Sequence, residues 1–566
     1  MAGQQPVIGA TVQLYAAGNA GNGTAPTALL ANSLTTNSAG GFAVPSGYSC
    51  PSAQTPIYLL AKGGQAGSGS SANPSLWLMT ALGPCGSIGA GGSFVVNEVT
   101  TAASVWALAS FMTSGGQVGA SCTNTTGLDN AFLNVNSLVN VSAGMSPGSG
   151  LPSTLAVPTR KLNTLANALA SCTGSSGGSA CSGLFSAVAS GSSVPGNTLD
   201  AALNIAHSPG NNVATIYALA ASGVVFSPAL SAAPPDFMLH NTISGGGMDA
   251  PASVSVADSG NVWVSSYFSV ISEFSPNGSM VFPAGITGSG ITQSYGMALD
   301  AAGNVWIANE QTSPNSGLGD IAELNSSGTA LQTGLTNGGI DFPIAAAADP
   351  NGNMWFADYG DSKVTLLNDS GNPVSGSSGW GGTSLAFPVA LAVDSGHNAW
   401  VANQAGQLPI TEISPDGSTV TNYDCDCNGA SGVAIDRGGN VWIANYYGNS
   451  VSEVNSCGAV LLGAATGGGV DHPQGIAADG DGTVWVTNYL GNSLSEISAS
   501  SSSSPGAFLS PSTGFGTDAA ILQPYGLAID ESGNIWVSNF GNNTLTQFLG
   551  VATPVKTPLA GPAQQP

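Results

Sequence analysis

Histidine is the side chain best suited to proton transfer near neutral pH, and the chain contains only four. His207 ends a predicted helix and His240 lies in a predicted strand, so we assign these two structural roles, and His397 lies in a predicted turn. His472 follows Asp471 in a loop that enters a predicted strand, where an imidazole can act as a general base. His472 is therefore the candidate catalytic residue, and the alternative that we favour is an ordinary loop residue.

A larger candidate site consists of polar and aromatic residues at fixed distances from seven tryptophans. Amides with planar hydrogen bonding, next to rings that stack, are typical of sugar recognition. The positions three and four after each Trp give the candidate ligand-binding residues Asn309, Asp358, Asn403, Asn445, Asn488 and Asn539, with Tyr267, Glu310, Tyr359, Tyr446, Tyr489 and Phe540. Because these positions recur, an alternative is that they cap turns and cover the seams between repeats. Glu310 and Asp358 break the pattern, so they are the better candidates for a specific activity.

Carboxylates in the turns before the tryptophans offer a third kind of chemistry. The strings DGDGT (479–483) and DPNGN (349–353) place oxygen ligands at alternate positions, as calcium loops do. Neither supplies the distal bidentate Glu, which favours plain hairpin turns. We predict no metal site and no cofactor, with Ca²⁺ or Mg²⁺ as the ions to test.

These residues belong to a repeat that occurs seven times between residues 258 and 548. Four copies have an Asp-x-x-Gly-Asn turn followed by an apolar residue and Trp, the other three (DSGN, DSGHN and DGDGT) vary it by one residue, and the tryptophans are 42 to 51 residues apart. Periods of 40 to 50 residues with strand-like content are typical of propeller blades. The sequence predicts a seven-bladed β-propeller over residues 236–551, in which the strand at 237–244 completes the last blade, and a tail at 552–566.

The region before the propeller divides into two parts. Residues 1–93 alternate apolar and polar residues between turns and predict a small β-sandwich. Residues 94–225 change to a helical period, with Asn97 as an expected N-cap and five helices. The predicted fold class is mainly β and multidomain.

Composition restricts the partners and the compartment. Six basic residues against 30 acidic ones give a net charge of −24, which excludes nucleic-acid binding. Eight cysteines in a chain with 6% charged residues indicate a secreted or cell-surface protein whose leader is absent from this sequence. No apolar run is long enough for a membrane span. The pairs Cys172 with Cys181 and Cys50 with Cys85 are expected disulfides. Cys457 is expected to pair with Cys425 or Cys427, and Cys427 is the predicted partner.

The repeat D-x-x-G-N, [VI]-W-[VI]-[AS]-N, G-N-[ST], S-E-[IFV] resembles NHL-repeat propellers, particularly the streptogramin lyase-like (virginiamycin B lyase-like) branch of bacterial proteins. The strings GATVQLY and TTNSAGGFAVP resemble the carboxypeptidase-regulatory, prealbumin-like modules of secreted proteins. The lyase resemblance implies a proton-abstracting histidine at His472, flanked by metal-binding glutamates. Val470 and Thr487 stand at those two places, so both carboxylates are missing.

Two functions follow as expectations. The first is a secreted, non-catalytic propeller that binds a carbohydrate, a peptide or a partner protein at the mouth of its channel. The alternative is a metal-assisted lyase or hydrolase at His472 with Asp471, Asp358 or Glu310. The missing carboxylates favour the first and weigh against an enzyme.

Overall fold

The fold is described from a computed structural model. It describes residues 1–67, 71–87, 92–173, 179–191, 193–311, 318–406 and 409–566. The chain divides into two compact units, which are Met1–Asn241 with Phe548–Val551, and Thr242–Gln547 with Ala552–Pro566.

The first unit combines a β-sheet with helices on one face. Its main sheet has the strand order Thr27–Ala28, Thr11–Ala16, Pro56–Lys62, Trp77–Pro84, and Leu34–Thr35 also pairs with the second of these. Its other strands are Val7–Ile8 with Gln65–Ala66, Met112–Thr113 with Gln117–Val118, and Leu155–Ala156. Its α-helices among the described residues are Glu98–Leu108, Thr125–Leu138, Thr159–Ala170, Ser179–Ala187, Thr198–His207 and Val213–Ala221.

The sheet and the helices share one hydrophobic core. Alternate residues of a strand point to opposite faces, and Tyr58 and Leu60 join Trp106 of the first helix in one buried cluster. Ile57 and Leu59 face a second cluster on the other side. Asn97 caps the first helix as predicted, because its side chain accepts the Thr100 amide at 2.9 Å. The sequence did not predict the helix at Ser179–Ala187.

The second unit consists of antiparallel sheets, one for each tryptophan repeat. We number them in chain order and call the first strand of each the inner strand, the second the middle strand. Among the described residues they are sheet 1 (Pro251–Val256, Val262–Ser266, Val270–Phe274), sheet 2 (Ser294–Leu299, Val305–Asn309, Asp320–Leu324, Ala330–Leu335), sheet 3 (Pro343–Ala348, Met354–Asp358, Lys363–Leu367), sheet 4 (Pro388–Val393, Ala399–Asn403, Ile410–Ile413, Val420–Tyr423), sheet 5 (Ala430–Ile435, Val441–Asn445, Ser450–Val454, Val460–Ala465), sheet 6 (Pro473–Ala478, Val484–Asn488, Ser493–Ile497) and sheet 7 (Pro524–Ile529, Ile535–Asn539, Thr544–Phe548).

The sheets surround a central channel, since all seven inner strands line one cavity of about 230 Å³. The strand His240–Ser244 lies beside Thr544–Phe548 at the outer edge of sheet 7, which confirms the predicted closure of the ring. A side-chain hydrogen bond also joins the first and last sheets of the ring, because Asn543 of sheet 7 accepts the Ala250 amide, next to sheet 1, at 2.8 Å. The mainly β, propeller-like architecture is thus the one that the repeats predict.

The Asp turn explains why Asp and Trp recur together. In sheet 5, Asp436 accepts the Asn440 amide with one carboxylate oxygen and the Trp442 indole N–H with the other, at 2.9 and 3.1 Å. The same indole bond occurs for Asp300, Asp394 and Asp530. Each tryptophan is buried. Four of them pack against the next sheet, namely Trp263, Trp306, Trp355 and Trp400. One carboxylate therefore holds both the hairpin and the largest core side chain.

Two of the expected disulfides are present and one expectation is wrong. Cys50 pairs with Cys85, and Cys172 with Cys181. Cys427 pairs with Cys425 instead of Cys457. Asp426 between them has a φ of 54°, which folds the backbone so that the two flanking Cα atoms are 5.1 Å apart. Cys457 lies exposed in the hairpin after the third strand of sheet 5 and, like Cys122, is a free thiol.

Candidate functional site

The candidate site residues lie at the end of the channel where the inner strands begin, which we call the mouth. In every sheet, the residue four positions after Trp donates its amide to the carbonyl of the residue just before the inner strand. In six sheets that preceding residue has a left-handed backbone, with φ between 49° and 67°. The seven preceding residues are Ala250, Gln293, Phe342, Phe387, Gly429, His472 and Gln523. The left-handed conformation of His472 is therefore a property of the repeat and not a special feature of a catalytic site.

The ring of amides is buried under the mouth. The side chains of Asn309, Asn403, Asn445, Asn488 and Asn539 are 0 to 1% exposed. Asn488 shows the usual arrangement, in which its amide donates to the hydroxyls of Ser493 and Ser495 on the next strand, both at 2.9 Å. These amides join the middle strand to the third strand, so in this conformation they do not face a ligand.

Asp358 takes the same buried position in sheet 3. It accepts the Thr365 hydroxyl at 2.7 Å, and burial, together with the nearby carboxylates of Asp361 and Asp341, raises its pKa well above the ordinary value. Its neighbour Lys363 pairs with Asp361 at 2.7 Å. Asp358 therefore replaces an amide of the repeat in a structural bond.

The aromatic side chains, by contrast, are half-buried and form a connected group. Tyr446 contacts Tyr489, Tyr489 contacts Tyr525, and Tyr525 contacts both Tyr295 and Phe540, with ring centroids 5.4 to 6.3 Å apart. Tyr267 extends the group, since its ring lies 5.6 Å from that of Tyr295. Tyr359 does not belong to it, because its ring contact is with Phe387. We call the group of Tyr267, Tyr295, Tyr446, Tyr489, Tyr525 and Phe540 the aromatic arc.

Tyr295 and Tyr525 were not among the predicted site residues. They occupy the second position of the inner strands of sheets 2 and 7, and their hydroxyls bond each other at 2.9 Å. Sheet 1 lies between these two sheets and has the small Ala252 at the same position, which leaves room for both rings. The sequence feature that could have identified these two tyrosines is the string Tyr-Gly, which occurs at the same place in the two repeats.

Glu310 lies beside the arc. Burial raises the pKa of its carboxyl, and a hydrogen bond with the Tyr267 hydroxyl partly opposes that effect. Its Oε2 atom is buried without a hydrogen-bond partner. The carboxylate is also close enough to Tyr295 and Tyr525 to add to the rise in their pKa values that burial causes. Glu310 is thus an acid surrounded by tyrosines.

His472 lies at the other end of the arc. Its Nδ1 is 2.7 Å from Asp471 Oδ1, and its ring lies 4.9 Å from that of Tyr446. Its backbone amide donates to Asn449 of the preceding sheet, which is the same bond that Asn492 and Asn543 make at the next two junctions. With Nδ1 held by the carboxylate, Nε2 is the nitrogen that remains to accept a proton.

The three exceptions to the repeat have separate partners. Glu310 lies near the Tyr267 hydroxyl, Asp358 accepts the Thr365 hydroxyl, and His472 bonds Asp471. Within the part of the chain that the structure describes, no three His, Cys, Asp or Glu side chains are grouped to hold a metal ion.

The two places that the lyase resemblance reserves for carboxylates do not fit a metal. Val470 has no donor atom in its side chain. The Thr487 hydroxyl is buried and donates to the Tyr525 carbonyl at 2.8 Å. The following Asn488 is held by serines, as described above. No metal-assisted step can therefore be assigned to these residues.

Similar solved structures include virginiamycin B lyase from Staphylococcus aureus, which is 17% identical with a TM-score of 0.45, over 55% of this chain and 98% of that chain. A streptogramin B lyase structure is 15% identical with a TM-score of 0.43, over 54% and 97% of the two chains. The WD40 β-propeller domain of Doa1 is 14% identical with a TM-score of 0.42, over 54% and 95%.

No curated sequence matches the chain. The family model that matches is that of the virginiamycin B lyase family, over residues 286–566. The matched residues contain sheets 2 to 7 and the C-terminal segment. Residues 286–566 of the chain are therefore similar to the virginiamycin B lyase family.

Proposed function

We propose that the protein is a secreted binding protein whose ligand surface is the aromatic arc at the mouth of the propeller, and that its ligand is a carbohydrate, a peptide or a segment of a partner protein. The observation that carries this proposal is the arc itself. Six rings from five sheets form one connected, half-accessible surface, while the acid, the base and the buried Asp358 have separate partners.

The location outside the cell is part of the proposal. The three disulfides are typical of oxidising compartments. No helix of the described residues has the length and hydropathy needed to cross a bilayer.

Replacing ring residues tests the binding surface. Tyr446→Ala and Tyr489→Ala each remove a ring that is half-buried in the free protein, so the fold should persist while binding weakens by about 1 to 3 kcal/mol. The measurement is calorimetry against oligosaccharide and peptide panels. Tyr359→Ala, which removes a mouth ring outside the arc, is the matched control. Unchanged affinity in both arc variants for a ligand that the wild type binds would refute the site.

A lyase or hydrolase is the second candidate, and the His472–Asp471 pair favours it. The pair orients one imidazole nitrogen and leaves the other as a potential base. Turnover of a cyclic depsipeptide or of a uronate polymer that is lost in His472→Ala would support this activity. Absence of turnover with added Mg²⁺ on both substrate classes would leave the binding function alone.

A further inference from the structure

Glu310 is an acidic side chain at a position of the mouth where the other repeats have uncharged residues. The other repeats have Tyr, Gln or Phe at the equivalent position four residues after Trp, and sheet 2 alone has an acid there. The carboxylate lies near the hydroxyl of Tyr267, and the rings of Tyr267, Tyr295 and Tyr525 follow one another at 5.6 and 5.4 Å. One ionisable acid is therefore placed against a row of three electron-rich rings.

That acid lacks a counter-ion within the described chain. Its Oε2 atom is buried and unbonded, and Tyr267 is the one partner that offsets the effect of burial. The basic residues of the propeller unit lie elsewhere. Lys363 is paired with Asp361 in sheet 3, Arg437 follows the Asp turn of sheet 5 at the opposite end of the channel, and Lys556 belongs to the C-terminal segment.

The charge of the ligand can be argued from these contacts. A half-buried carboxylate with one oxygen that is buried and unbonded is costly, and a cation beside that oxygen lowers the cost. Ring faces of tyrosine attract ammonium groups within about 6 Å of the centroid, and the attraction grows when water is excluded. The net charge of −24 draws cations toward the whole molecule and repels anions. A neutral sugar would use the rings but would leave the carboxylate uncompensated.

Building on the function proposed above, we infer that the mouth binds an organic ammonium group, which lies against the rings of Tyr267, Tyr295 and Tyr525 and pairs with the carboxylate of Glu310. The cation belongs either to a quaternary ammonium compound or to a primary amine of a peptide. The two sources share this chemistry and differ in the number of N–H donors that Glu310 can accept.

The test uses the full-length protein and probes that differ only in charge. Nα-acetyl-lysine methylamide is compared with its Nε-acetylated, neutral form, and tetramethylammonium with tert-butanol. Binding is followed by NMR of selectively labelled tyrosine rings. We expect saturable shifts of arc tyrosines with the cations, and affinities at least about tenfold weaker for the neutral partners. Tighter binding of tetramethylammonium would indicate a quaternary ligand, and tighter binding of the lysine derivative would indicate a peptide amine.

Three variants test whether cation binding depends on Glu310 and on the ring of Tyr267. Glu310→Gln keeps the shape of the side chain and should weaken cation binding about tenfold. Tyr267→Phe keeps the ring and should retain most of the affinity. Glu323→Gln is the matched control, because Glu323 is a second acid of sheet 2, which is buried and accepts the side-chain amide of Gln332 on the outer strand, away from the mouth. Melting temperatures of all three variants show that the fold is intact.

The outcomes separate this inference from the proposed function. If neither cation shifts the arc tyrosines, or if Glu310→Gln binds both as the wild type does, the ammonium site is wrong. If a neutral sugar or an acetylated peptide then binds in a manner that depends on Tyr446 and Tyr489, the binding function stands without it. If cations bind and Glu310→Gln and Glu323→Gln weaken them equally, the attraction is the general charge of the protein, and the specific site is refuted.

Discussion

At the scale of single residues, the Asp that begins each turn has two different roles, although it is part of the same motif in every repeat. In six turns the Asp lies six residues before Trp, and in sheet 1 the spacing is five. The shorter turn leaves Asp258 exposed. In sheet 5, by contrast, Asp436 is buried and holds the indole. The equivalent aspartate is therefore a core residue in one repeat and a surface residue in another.

This difference predicts the effect of removing the carboxylate. Asp436→Ala leaves a buried indole N–H and a turn amide without acceptors, and should lower the free energy of unfolding by about 2 to 4 kcal/mol. Asp258→Ala should change it by less than about 0.5 kcal/mol. Urea denaturation followed by tryptophan fluorescence measures both. Equal losses in the two variants would contradict the assigned role of the Asp–Trp bond.

A second residue-scale prediction concerns Asp479 of sheet 6. Burial raises the pKa of its carboxyl from 3.8 to about 6, and the nearby Asp481 adds to the rise. The folded state then binds the proton more tightly than the unfolded state does. The contribution of Asp479 to stability is therefore largest below pH 4 and falls by up to about 3 kcal/mol as the pH rises to about 6.

The measurement is the free energy of unfolding of the wild type minus that of Asp479→Asn between pH 4 and 7. We expect this difference to decrease as the pH rises through 6, since other carboxylates cancel in the subtraction. Parallel pH profiles for the two proteins would show that Asp479 titrates alike in both states.

At the scale of elements, the C-terminal segment explains the most irregular turn. Residues 552–566 were expected to be a tail, yet Val555, Leu559 and Ala563 line the channel cavity at the end opposite the mouth. In sheet 6, where Thr483 replaces the usual Asn, the free oxygen of Asp479 accepts the Thr553 amide at 3.0 Å. The string DGDGT is therefore a docking point for the segment and not a fragment of a calcium loop.

Gly480 offers a sharp test of that docking. A Cβ atom at this position would lie 2.3 Å from the carbonyl oxygen of Pro554, and the backbone of Gly480 is not left-handed. Gly480→Ala should displace the segment and cost about 1 to 3 kcal/mol of stability. Hydrogen exchange at residues 552–563 should accelerate. Gly196→Ala, which adds its methyl group to open space, should do neither. Protection of the segment in Gly480→Ala equal to that of the wild type would contradict the contact.

Sequence reasoning succeeded where one period governs local structure and failed where distant elements meet. The Asp turn and the Trp strand recur, so their hairpins, the burial of the tryptophans and the closing strand at 240–244 could all be predicted. The contact of Tyr295 with Tyr525 could not, because it depends on how sheets 2 and 7 approach each other past the small Ala252. The pairing of Cys425 with Cys427 depends on the left-handed Asp426, which no pattern of cysteines reveals.

At the scale of the whole molecule, net charge is the dominant property. Thirty acidic residues and six basic ones give a folded protein that repels itself at neutral pH. Salt screens this repulsion over a Debye length of about 10 Å at 0.1 M. We therefore expect the melting temperature to rise when NaCl is increased from about 10 mM to about 300 mM. KCl should act equally, since screening depends on ionic strength. A melting temperature that falls with both salts would contradict the dominance of repulsion.

The closure of the ring also has a consequence for the order of events in synthesis. The strand at 240–244 pairs with the strand at 544–548, and the segment that lines the channel comes after both. A growing chain can complete sheets 1 to 6 one after another, but the partner of its earliest propeller strand is made roughly 300 residues later. The edge of that strand that pairs with Thr544–Phe548 stays unpaired until translation ends, which is the period when such an edge is most exposed to wrong pairing.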